Sequence, residues 1–145
     1  MATHDNESNL RRFYTDVMIK GNVALIDELA APNFQEHELF PGFEPNREGV
    51  KKWMSALRVG IPDLQVMVQD IITQGDKVVS RATIHGTHKG TLMGIPATGK
   101  KFQMELIDIV RFENGKLAEH WGVSDMLGML TQLGVVTLPG APPKE

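Results

Sequence analysis

A chain of 145 residues, 41% hydrophobic and 23% charged, has the composition of an ordinary folded protein and is long enough to bury a core as one domain. A net charge of −3 without a dense Lys/Arg patch gives no footprint for nucleic acid, and the absence of cysteine excludes disulfides, thiolate zinc sites and a cysteine nucleophile. No apolar run approaches membrane-spanning length and MATHDNESNLRRFY lacks the apolar core of a secretion signal, so a cytoplasmic protein without membrane contact is expected.

Leu10, Phe13, Tyr14, Val17 and Met18 recur at helical spacing and predict an amphipathic helix from about Asn6 to Lys20. Gly21 ends it, and Asn22 suits the N-cap of a second, shorter helix through Ala30. Ala31-Pro32-Asn33 breaks that helix, and Phe34 to Leu39 suits a short strand. FPGFEPN, Phe40 to Asn46, reads as a loop at a rim or lid. Asn46 then caps a third helix with Val50, Trp53, Met54 and Leu57 on its buried stripe. Leu64 to Thr73 alternates as a strand, and Gln74-Gly75-Asp76-Lys77 turns it into another, Val78 to about His88, with Gly86 marking a bulge or bend. Gly90 to Lys100 forms a loop with room to cover a cavity mouth. A long hairpin, a short helix near Asp125 to Leu133 and a loose Pro-rich tail over 138–145 complete a single domain spanning 1–145.

The hairpin carries the most informative pattern. Phe102, Met104, Leu106, Asp108, Val110 and Phe112 alternate onto one face, and among them only Asp108 is charged. A carboxylate in an apolar row needs a partner, a hydrogen-bond network or a raised pKa, which makes Asp108 a candidate general base. A two-residue Asn114-Gly115 turn sets Trp121 opposite it; a three-residue Glu113-Asn114-Gly115 loop with a G1 bulge sets His120 there. The second is preferred because it gathers Ala118, His120 and Gly122 on the Asp108 face, small residues suited to a pocket floor. His120 then forms a dyad with Asp108 and supplies the acid. Alternation allows only one of Glu36 and His37 to point inward, and Phe34 on the same face favours Glu36 as a second carboxylate. A metal site from His88, His120 and Asp108 has no dedicated ligand spacing, so none is expected.

Helices followed by a meander of long antiparallel strands predict an α+β fold: three N-terminal helices on a strongly curved, mainly antiparallel sheet forming a cone-like half-barrel, with a short C-terminal helix. Its open end suits a small molecule, and apolar outer faces suggest a homodimer through the sheet.

GTHKGTLMGIPATGKKF, DIVRFENGKLAEHWGVSDMLGMLTQLG and, earlier, APNFQEHELFPGFEPNREGVKKW resemble the SnoaL-like polyketide cyclases and related ester cyclases over nearly the whole chain. The resemblance implies the cone-shaped α+β barrel shared with ketosteroid isomerase and scytalone dehydratase, and an intramolecular aldol ring closure of an aromatic polyketide ester without metal or cofactor. It carries over unevenly. The family's acid/base aspartate, two residues beyond the His of the last strand, falls on Gly122; its pocket histidine falls on Asp108, an Asn on Glu36 and a Gln on Leu106, whereas His88, His120 and Asp125 fit their motifs. The combined reading is a cofactor-independent enzyme acting on a small hydrophobic carbonyl compound. Asp108, His120 and Glu36 are its candidate catalytic groups, and His88, Tyr14, Met18, Trp53, Leu106, Gly122 and Asp125 its candidate substrate-binding residues. Asp125 also suits a helix cap. A non-catalytic binding protein of the same fold and an epoxide hydrolase or isomerase are the alternatives.

Overall fold

In a computed structural model, which describes residues 2–140 and residue 142, the first apolar stripe forms α1 (Ala2–Arg12) and continues in wider π-type turns over Phe13–Ile19. The second helix is shorter than its sequence suggests, a 3-10 turn over Val23–Leu25 followed by α2 (Ile26–Leu29), and the Asn22 side chain does not cap it. The backbone becomes extended at Ala30, so the stretch expected only to break the helix already belongs to β1 (Ala30–Glu36). Pro32 is tolerated because β1 is an edge strand. The expected set of three N-terminal helices is thus two before β1 and one after it, α3 (Arg47–Gly60). Asn46 caps α3 as expected, its side chain accepting the Gly49 N–H at 2.9 Å.

The remaining strands are β2 (Gln65–Gln74), β3 (Lys77–Thr87), β4 (Lys101–Glu113) and β5 (Lys116–Ser124), and α4 (Met126–Gln132) follows them. Together they make an α+β fold with a five-stranded mixed sheet in the order β1-β5-β4-β3-β2, parallel only between β1 and β5. The N-terminal helix and its extension pack across β2 and β3, α3 lies against β1, and α4 against β4. Alternation along β4 holds: Phe102, Met104, Leu106, Asp108, Val110 and Phe112 are all buried, and residues between them face outward. Among the described residues no helix is long and apolar enough to cross a membrane. Residues 141 and 143–145 of the expected tail lie outside the description.

The hairpin register differs from both sequence readings. Glu113 pairs with Lys116 across a two-residue turn, with Asn114 at φ 52° and Gly115 at φ 77°, the left-handed pair of a type I′ turn. The extra residue sits in β5 instead, where pairing slips between Arg111–Glu119 and Phe112–Leu117. This bulge lets consecutive Leu117 and Ala118 both turn inward, each 4% exposed. Asp108 is therefore opposite Gly122, and His120 opposite Val110, one diagonal step away on the same face. No bulge occurs at Gly86, which pairs regularly with Phe102; a side chain there would strike Ile61.

Because the Asn46 side chain satisfies an otherwise orphaned N–H of α3, Asn46→Ala is expected to lower the unfolding free energy by about 1 kcal/mol in urea denaturation, with Asn46→Asp close to wild type.

Candidate active site

Five polar groups from five elements meet on the apolar face of the sheet. Asp108, 7% exposed on β4, accepts the Tyr14 hydroxyl on Oδ2 at 2.6 Å and His120 Nε2–H on Oδ1 at 2.7 Å. His120 Nδ1–H donates to Glu36 Oε1 at 2.6 Å, and that oxygen also accepts the Glu38 backbone N–H at 2.9 Å. Tyr14 Oη lies 2.6 Å from the Ser80 hydroxyl, which is fully buried on β3 opposite Asp108. The π-type turns bring Tyr14 to the sheet, the β5 bulge aims His120, and the end of β1 supplies Glu36 beside it.

The charges follow from this geometry. Burial by itself disfavours a charged imidazole, but the hydrogen bonds and negative charges of Asp108 and Glu36 outweigh it and hold His120 up at about 10, against 6.5 for a free side chain. His120 is thus an imidazolium between two carboxylates at neutral pH. Burial, reinforced by the Asp108 charge, pushes the Tyr14 phenol far upward, so it remains a donor.

A third carboxylate completes the cluster. Glu38, just beyond β1, accepts the Ser124 hydroxyl at 2.9 Å, and burial raises its pKa, aided by Asp108 and Glu36 and opposed by Ser124 and His120. Glu38, Asp108 and His120 offer ligand atoms within 4.8 Å of one another. Both His120 nitrogens are already engaged by carboxylates, Nδ1 by Glu36 and Nε2 by Asp108.

These groups end in a cavity with apolar walls that include Leu10, Met18, Trp53, Met104 and Leu106. Phe40 and Phe43, from the loop expected at a rim, pack on Trp53 with ring centroids 4.1 and 5.3 Å away. Of the residues singled out from the sequence, Tyr14, Met18, Glu36, Trp53, Leu106, Asp108 and His120 line this cavity. Gly122 lies behind it against Glu38 and Asp108. His88 is buried away from the lining, its Nδ1 facing Thr98 Oγ1 at 3.1 Å, and Asp125 caps α4 by accepting the Gly128 N–H at 2.9 Å. His37 turns outward, stacks on Trp121 and pairs with Glu119 at 2.8 Å. Sequence reasoning passed over Ser80 and gave Glu38 no role. Ser80 becomes visible only through the β3–β4 register, whereas Glu38 repeats the inward parity of Phe34 and Glu36 and had that signal.

Between pH 6.5 and 10 the folded chain retains the His120 proton that the unfolded chain releases, so the pair's stabilisation is complete below 6.5 and fades as pH approaches 10. The difference in unfolding free energy between wild type and His120→Gln is therefore expected to shrink steadily over that window in urea denaturation; a difference independent of pH contradicts the charged imidazole.

The model of the family described as SnoaL-like polyketide cyclase matches residues 8–133. The aklanonic acid methyl ester cyclase DnrD of Streptomyces peucetius is 40% identical over 60 residues, a stretch covering 41% of this chain and 41% of that protein, so the matched segment spans well under half of the curated relative. TsrD from Streptomyces laurentii is 30% identical in structure-based alignment, with a TM-score of 0.83 over 92% of this chain and 97% of that one. IdmH from Streptomyces antibioticus is 33% identical, with a TM-score of 0.77 over 90% and 99% of the two chains. A family match across most of the sequence, joined to end-to-end likeness in fold, places this chain in the SnoaL-like polyketide cyclase family.

Proposed function

We propose that this protein is a cofactor-independent ester cyclase that closes a ring of an aromatic polyketide methyl ester by intramolecular aldol addition. The observation that carries the reading is the buried chain Tyr14–Asp108–His120–Glu36 opening into an apolar cavity. Asp108 removes the acidic proton from a carbon flanked by carbonyl groups; the resulting enolate carbon attacks a ketone carbon of the same molecule. Tyr14 and the His120 imidazolium hold Asp108 in position, and His120 stabilises negative charge developing on the substrate. Aromatic rings fit walls of Trp53, Met18 and Leu106, and water is kept from the enolate. A single domain whose sheet curves around the cavity as a cone-like half-barrel is the frame we infer, in keeping with the family match.

Curated relatives whose names specify aklanonic acid methyl ester make that compound the first substrate to try. Aldol addition leaves the mass unchanged, so turnover is read by chromatography with mass detection. Wild type is expected to convert the ester, and Asp108→Asn to bind it with similar affinity while kcat falls by about 10³-fold. Binding without conversion by wild type, insensitive to Asp108→Asn, identifies a binding protein instead.

We further infer a homodimer through the outer sheet face, where Ile107 and Ile109 on β4 and Val123, opposite Ile107 on β5, are exposed together. Sedimentation velocity is expected to give twice the chain mass for wild type and a monomer for Val123→Lys; a monomeric wild type rejects the interface.

A further inference from the structure

The cluster contains a carboxyl group that the proposed mechanism leaves unused, and a glycine that makes room for it. Glu38 reaches from the loop after β1 across the sheet face to lie over Gly122, where a Cβ would collide with Glu38 Oε2 and stand 2.8 Å from Asp108 Oδ1 and from His120 Cε1. Only the absence of a side chain on β5 at this point lets the Glu38 carboxyl settle beside Asp108 and His120. It lines the same cavity, with one side-chain hydrogen bond, from Ser124 to Oε1. Asp108 and Glu38 thus occupy contrasting surroundings. Asp108 accepts two short hydrogen bonds, one of them from the His120 imidazolium; Glu38 has a single neutral side-chain donor and two carboxylate neighbours, Asp108 and Glu36, whose charges favour its keeping a proton.

We propose that Glu38 is the catalytic acid of this site, seated in the space that Gly122 leaves open, and that it protonates the oxygen formed on ring closure. The assignment rests on the cyclase reading above and supplies the proton donor which that reading lacks. When the enolate carbon bonds to the ketone carbon, the carbonyl π pair moves onto oxygen, and the Glu38 O–H proton passes to that alkoxide to give the hydroxyl. Glu38 is left as a carboxylate while Asp108 holds the proton taken from carbon. Transfer of that proton from Asp108 to Glu38, whose nearest oxygens are within 4.8 Å, restores both groups.

The test compares wild type, Glu38→Gln, Gly122→Ala and the double variant on aklanonic acid methyl ester, with Asp108→Asn as control and thermal melting to confirm folding. Glu38→Gln is expected to lower kcat by about 10²-fold with KM changed less than threefold. Gly122→Ala, whose Cβ crowds Asp108 and His120 as well as displacing the carboxyl, is expected to lower kcat at least as far, and the double variant to be no better than Gly122→Ala. A Glu38→Gln variant within threefold of wild type, beside an inactive Asp108→Asn, overturns the assignment and leaves the cyclase reading standing. If wild type leaves this ester unchanged, the choice of substrate fails, and infrared titration decides the proton's place. A protonated-carboxyl band at neutral pH that Glu38→Gln removes shows Glu38 holding the proton the assignment requires; its absence from wild type overturns the assignment.

Discussion

One buried cation holds this site together. His120 is charged because two carboxylates contact its two ring nitrogens at 2.6 and 2.7 Å, and each carboxylate is compensated by the charge it stabilises. Neither Asp108 nor Glu36 would be comfortable in an apolar interior without that imidazolium, and the imidazole would shed its proton without them. The contacts also join three strands: Glu36 at the end of β1, His120 on β5 and Asp108 on β4. The edge strand β1 is tied to the interior of the sheet by charge as well as by its few backbone bonds. Tyr14 extends the same network to the N-terminal helix, so the site and the packing of helix on sheet depend on the same hydrogen bonds.

The surroundings raise the importance of each of these bonds. Apolar side chains from α1, α3 and β4 exclude water from one side of the cluster, and Phe40 and Phe43 cover Trp53 at the rim. In such a setting charges are weakly screened, and a misplaced proton costs more than it would at the surface. This explains why the groups differ so much from free side chains: an imidazole held charged, a phenol held neutral, and one carboxyl, Glu38, pushed toward its protonated form.

Membership of the SnoaL-like family accounts for the frame but not for the choice of polar residues within it. The resemblance implies an aspartate where this chain has Gly122. The space is not left vacant, because Glu38 arrives from a different element and lies against Asp108 and His120. A carboxyl group thus reaches the space above Gly122 from a loop rather than from the strand itself. What fixes its position is the room above the glycine and the hydroxyl of Ser124, not the sequence spacing to His120.

Local pattern settled much of this. The period-two row from Phe102 to Phe112 identified β4, its buried face and the outlying Asp108, because alternation in a strand needs no tertiary information. Asn46 and Asp125 announced their helix caps for the same reason. The parity of Phe34 and Glu36 pointed Glu36 inward and, carried two residues further, would have pointed Glu38 there as well. The hairpin was harder: the sequence placed His120 on the face of Asp108, yet by a bulge in the turn, whereas the bulge lies at Ala118. That choice is made by the core, which accepts both Leu117 and Ala118, and no local rule encodes it. His88 matched a family motif but packs against the Gly90–Lys100 loop, away from the cavity lining. The sequence by itself determined the strands, the faces and the acid in the apolar row. Only tertiary structure decided which side chains meet it, because Tyr14, Ser80, Glu38 and His120 are brought to one point by register, helix docking and the room above a glycine.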